Sequence, residues 1–280
     1  MKRSVVKSFL SRPTVEGAGV HLRRAFGFHE TGLFDPFLML DHFHSNNPKD
    51  YEAGFPWHPH RGIETVTYMI EGKVLHEDST GNKGVIGDGG IQWMTAGSGI
   101  IHSEMPKQSH GTLHGFQLWV NLPAKSKMMN PRYQDIKPDD VPVVSLPDGA
   151  TVRVAAGVFD GISGPVKDIV AEPMFLDIKI PQKGKFVHKI SANHKVVLFV
   201  VDGGICVGDS AEIGSEHTLL LGDGESMEIY AGVHGARFLL MAGKPIGEPI
   251  AWYGPIVMNT DEELQVAFEE YQNGSFLKHR

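Results

Sequence analysis

Cysteine is all but missing. Cys206 stands alone among 280 residues, so no intramolecular disulfide can form, and a reducing, cytoplasmic setting is expected. Its place in the apolar run 198–207 predicts a small buried core residue rather than a reactive thiol. Long hydrophobic runs are missing as well. The longest clean stretch, 196–201, is far shorter than the ~20 residues that span a bilayer, and the basic start MKRSVVKSFL has no long apolar stretch after it. Neither a membrane span nor a secretion signal is therefore expected. Positive charge is in deficit: Lys plus Arg number 26 against 33 Asp plus Glu, a formal net charge of −7. That balance argues against direct nucleic-acid binding, whose footprint is a basic patch or run.

Glycine, by contrast, is abundant, at 33 residues. It punctuates short β-branched and aromatic segments such as ETVTYMI (64–70), KVVLFVVD (195–202), HTLLLGDG (217–224) and ARFLLMAG (236–243). Short strands at this spacing, with little helical periodicity between them, predict an all-β sandwich or barrel. One helix is legible near the end, where Thr260 and Glu263 make a capping box ahead of Leu264, Phe268 and Tyr271. Segment 122–150, rich in proline and mixed charge, reads as a connector. On either side an apolar strand ends in an acid–Gly pair and is followed by a Gly-Asp-Gly turn, which suggests two copies of one β-module.

Fifteen histidines are present, and two placements stand out. His58 and His60 are two apart, so on a strand both imidazoles face one side. Glu64 shares their parity if Arg61-Gly62 does not disturb it. His102 and Glu104 form a second pair after the Gly-rich turn at 96–99. Facing each other across a small barrel, the two pairs would surround an ion with three imidazoles and one carboxylate. Such a set suits Fe, Mn, Ni, Cu or Zn rather than Ca or Mg. Four protein donors would leave open positions on a six-coordinate ion, as a catalytic metal needs.

Segments GFPWHPHRGIETVTYMIEG (54–72) and GGIQWMTAGSGIIHSEMP (89–106) resemble the two signature stretches of the cupins, and in detail those of the pirin family. NLPAKSKMMNPRYQDI (121–136) and GPIVMNT (254–260) resemble pirins too. The resemblance implies two antiparallel cupin β-barrels facing each other, with a short C-terminal helix: residues 1–136 as the metal-binding cupin and 137–280 as a second cupin without ligands. It implies metal ligation by His58, His60, His102 and Glu104, with Glu64, the acid of the general cupin pattern, beside the ligands without binding. The implied cofactor is one transition-metal ion, first Fe(II), with Mn, Ni, Cu, Co or Zn as the other candidates. The implied activity is that of a quercetin 2,3-dioxygenase, opening a flavonol ring with O₂ and releasing carbon monoxide.

In that reading Glu104 is also the base that takes the proton of the flavonol 3-hydroxyl, and Phe55, Trp57, Trp93, Met94 and Phe116 are candidate pocket walls. The second half breaks the metal pattern. The positions matching His58 and His60 are Lys189 and Ser191, and the one matching His102 is Arg237. His188, His194, His217 and His234 then read as surface or core groups. The rival function is an iron-bound, redox-sensing protein that regulates a partner protein, a transcription co-regulator or a metabolic enzyme, without turnover. A monomer is expected, because two barrels can cover each other's open faces.

Overall fold

Alternating burial and Gly-marked turns give strands nearly everywhere in the computed structural model, which describes residues 1–107 and 111–279. Every strand pairing in the large sheets is antiparallel. No helix is long and apolar enough to cross a membrane. The chain divides into two compact units.

The first comprises Arg12–Leu33, Phe37–Pro138 and Ile246–Arg280. Its seven-stranded sheet runs Arg132–Ile136, Ile91–Thr95, Ile63–Glu71, Leu113–Asn121, Phe37–Ser45, Val20–Phe26, Arg12–Glu16, and a four-stranded sheet runs Phe55–His60, Ile100–Pro106, Val74–Asp78, Lys83–Ile86. The second unit comprises Met1–Ser11, Phe34–Pro36 and Asp139–Pro245 and holds one nine-stranded sheet. Its central path contains His217–Leu221, Lys195–Val207, Ser226–Gly243 and Met174–Ile180, in that order. In chain order these four are third, second, fourth and first. Ile91–Thr95, Ile63–Glu71, Leu113–Asn121 and Phe37–Ser45 follow the same rule, so the two β-modules suggested by self-similarity share one strand order.

The units do not follow the expected division into 1–136 and 137–280. Strand Val5–Leu10 pairs with His217–Leu221, which places the N-terminus in the second unit. The C-terminal segment belongs to the first, through the hydrogen bond from Val257 N to Arg61 O (3.1 Å) and the packing of its helix. That helix, Asp261–Gln272, starts as expected: Thr260 Oγ1 accepts from Glu263 N and Glu263 Oε2 accepts from Thr260 N, both at 3.2 Å. Leu264, Ala267 and Phe268 pack on Ile256, Met258 and Phe276. Gly62, at φ +78°, is where this segment comes closest, because a Cβ there would overlap the carbonyl of Val257.

Two further expectations need correction. The segment read as a connector is structured: Arg132–Ile136 adds an edge strand beside Ile91–Thr95, using the backbone that sequence patterning left unpaired. Cys206 is half-buried on Lys195–Val207 rather than a core residue, because its strand neighbours Ile205 and Val207 take the inward positions.

Candidate metal centre

The histidines of 58–60 lie on strand Phe55–His60, whose ladder with Ile100–Pro106 pairs His58 directly with His102 and His60 with Ile100. The two motifs are therefore neighbours on adjacent strands of one sheet, not opposite walls of a barrel as the spacing suggested. Cross-strand pairing supplies the convergence. One ring nitrogen from each of His58, His60 and His102 lies within 4.8 Å of the other two, with His58 Nε2 and His60 Nε2 3.1 Å apart.

Hydrogen bonding to carbonyls fixes which nitrogen of His58 and of His60 carries the proton. His58 Nδ1 donates to Pro56 O (2.8 Å) and His60 Nδ1 donates to Pro255 O (3.0 Å). In the neutral rings both Nε2 atoms are then lone pairs, and two facing lone pairs cannot bond to each other. Burial holds all three histidines below the usual imidazole range, His60 and His102 well below it. His102 is completely buried, its Nδ1 lies 2.9 Å from His76 Nε2, and its Nε2 has no hydrogen-bond partner among the described residues. Three neutral imidazoles aiming unshared lone pairs at one point form a donor set for a transition ion, and the residues present fit such a group.

Glu104 lies two residues beyond His102, past a register shift that pairs it with Phe55. It does not join the tight trio. Its Oε1 accepts from Thr67 Oγ1 (2.6 Å) and its Oε2 from Gln117 Nε2 (3.2 Å). Burial nevertheless pushes its carboxyl up to about 7. Glu64 is also buried, accepts from Thr95 Oγ1 (2.7 Å), and is likewise outside the trio.

His58, His60 and Glu104 line a cavity of about 740 Å³. Phe55, Trp57, Trp119, Trp252 and Tyr253 form aromatic walls. At another side Arg24 grips Asp41 in two hydrogen bonds (2.8 and 2.7 Å) and pairs with Glu16 (2.9 Å). Of the expected walls, Phe55 and Trp57 are in place. Trp93, Met94 and Phe116 are fully buried and do not line the cavity.

Comparison with known proteins gives the family. The pirin family model matches residues 19–120, and the model of the pirin C-terminal cupin domain matches 175–277. The chain belongs to the pirin family. It is 46% identical to a pirin-like protein of Caulobacter vibrioides, over 98% of this chain and 99% of that one. Identity is also 46%, over 97% of each chain, to a Pseudomonas aeruginosa protein named "Putative quercetin 2,3-dioxygenase". A crystal structure of quercetin 2,3-dioxygenase from Acinetobacter baumannii superposes with a TM-score of 0.92 at 32% identity, covering 99% of both chains.

Within this pirin-family fold, several residues at the centre escape sequence reasoning. His76 is buried, and burial holds it down at about 4, so it stays neutral against His102. Its signal was the alternation in VLHED (74–78), which carries no metal motif. Trp119, Trp252 and Pro255 also meet the site. Arg61, buried beside His60, donates to Ser98 O (2.7 Å) and Phe276 O (2.8 Å), pairs with Glu270 (2.8 Å) and stacks on the Phe276 ring. Lys127 Nζ donates to Gly62 O (2.9 Å), Asn121 Oδ1 (2.7 Å) and Val257 O (3.0 Å). Together these two cations fasten the C-terminal segment beside the histidines.

Proposed function

We propose that the chain is a metal-dependent dioxygenase of the quercetin 2,3-dioxygenase type, opening the ring of a flavonol with O₂ and releasing carbon monoxide. The observation that carries this reading is the convergence of three neutral imidazoles, two of them lining an aromatic-walled cavity of about 740 Å³ that a buried carboxyl group also lines. His58, His60 and His102, with Glu104 as the fourth donor, would hold one transition ion, Fe(II) first among those the donors suit. When bound, such an ion supplies Lewis acidity and redox reactivity at the positions the protein leaves open.

The rest is done by the chain. Phe55, Trp57, Trp119 and Trp252 offer flat apolar faces to a planar aromatic substrate and exclude water around it. Glu104 takes the proton of the flavonol 3-hydroxyl, so that the O–H bond breaks and the proton comes to rest on a carboxylate oxygen. A carboxyl group poised near 7 is matched to that transfer. Thr67 and Gln117 hold the carboxylate in place while it waits. Arg24, with its fork on Asp41 and Glu16, presents a polar edge suited to the phenolic hydroxyls at the far end of a flavonol.

The test is oxygen uptake and carbon monoxide release with quercetin by the iron-loaded protein. Both should appear together and in equal amounts. Iron bound tightly with neither gas exchanged would overturn the reading in favour of a metal-centred regulator of a partner protein.

A further inference from the structure

A second convergence of imidazoles lies behind the strands that wall the cavity. Side chains alternate along a strand. Met39, Asp41 and Phe43 line the cavity, as do Leu113, Gln117 and Trp119, so His42, His44 and His114 lie on the opposite face of the same two strands. His44 and His114 are directly paired in the ladder between Phe37–Ser45 and Leu113–Asn121. His42 Nε2 and His114 Nε2 are 2.9 Å apart. The His44 and His114 rings stack with centroids 4.0 Å apart. One ring nitrogen from each of the three lies within 4.8 Å of the other two.

We infer that His42, His44 and His114 form a second binding site, for a single divalent ion of zinc, copper or nickel chemistry. Two imidazole nitrogens bound to one tetrahedral ion are ~3.3 Å apart, so the two Nε2 atoms, 2.9 Å apart and joined by a hydrogen bond, need to separate only slightly to admit one. The donor set is all imidazole, which suits borderline ions and disfavours calcium and magnesium. Burial is graded across the trio. His42 is buried and stacks on Phe116 at 4.6 Å, His114 is half-buried, and His44 is exposed. The deep ring is held by packing against Phe116, so part of the site is ordered before an ion binds. Three protein donors leave a coordination position facing solvent on the His44 side, where a water or a small anion can bind. The tripeptide His42-Phe43-His44 repeats the His-x-His spacing of residues 58–60, but on the outer face of its strand.

The experiment is equilibrium dialysis of the metal-stripped full chain against Zn(II), with ions counted per chain. Wild type should bind two. His44→Ala should bind one, with at least a ~10-fold loss of affinity in the second step. His58→Ala/His60→Ala should keep the ion held by the second trio. Because His44 is exposed, its removal should leave thermal melting of the metal-stripped protein, and quercetin turnover of the iron-loaded one, unchanged. Cu(II) added to the His58→Ala/His60→Ala protein should give an electron paramagnetic resonance spectrum with nitrogen hyperfine splitting, lost when His44→Ala is added. A single Zn(II) on wild type, or two retained by both His44→Ala and His114→Ala, would overturn the inference.

Discussion

The two units share a strand order but spend their interiors differently. In the unit built on Met174–Ile180 and Lys195–Val207, inward positions carry Leu176, Ile178, Leu198, Val200, Phe238 and Leu240, which merge into one continuous apolar core. In the histidine-bearing unit the inward positions of comparable strands carry Asp41, Thr67, Gln117 and Trp119 beside a cavity. Even a shared device is turned round. Arg24 and Asp41 face the cavity, whereas Arg237 grips Asp177 (2.9 and 2.6 Å) between the core positions 176 and 178, on the face away from that core. The filled unit shows that this strand order is stable without a hollow. Buried polar groups and empty volume cost stability, so the aromatic-walled hollow beside Glu104 is something this strand order does not require, which agrees with the proposed chemistry there.

The largest effect should come from removing a ligand. His60→Ala should drop bound iron from one ion per chain to near zero and abolish quercetin turnover, while His188→Ala in the filled unit leaves both untouched; metal analysis and oxygen uptake decide. Next, Glu104→Gln should lower turnover ~10²–10⁴-fold, as loss of a general base does, with metal content falling far less. Glu64→Gln should cost only ~10–100-fold, the range for a group that supports the ligands without touching the ion. The reverse order would move the fourth donor to Glu64.

The comparison can also be broken from the filled side. Phe238→Ala removes a fully buried ring and should cost about 3–5 kcal/mol in chemical denaturation, yet the folded protein should bind iron with unchanged stoichiometry. Smallest is metal linkage. An ion bound to the folded state at one hundred times its Kd adds ~2.7 kcal/mol. Chelation should therefore lower the melting transition of the histidine-bearing unit and leave that of the filled unit in place.

What was legible in the sequence was local. The HPH and HSE pairs, the Gly-marked turns and the capping box at Thr260 each depend on residues two to four apart, and the structure places the three imidazoles together and the helix where the box starts it. What was not legible depends on register and on long-range closure. That His102 faces His58 across a ladder, and that Glu104 lies past a register shift, follows from pairing that no single segment encodes. Trp93 and Phe116 lie away from the cavity although their sequence neighbourhood suggests walls, because aromatic content does not reveal which face of a sheet a residue occupies. Trp252 and Pro255 are invisible to a division into contiguous halves, because the unit they complete is closed by residues 246–280. His42 and His44 had the same spacing as His58 and His60, but their partner His114 is brought in only by the sheet.

The hydrogen bond from His60 to Pro255 joins residues 195 positions apart, so the proposed metal centre depends on backbone far from its own ligands in sequence. A nascent polypeptide that has passed residue 104 already owns every proposed ligand. It lacks the carbonyl that sets the proton on His60, the indole of Trp252, and the Phe276 carbonyl and ring that accompany Arg61. The proposed ligand block therefore takes its orientation from residues 252–276 and cannot be lifted out as a contiguous cassette. A graft of these histidines onto another scaffold has to bring the far end of the chain with it.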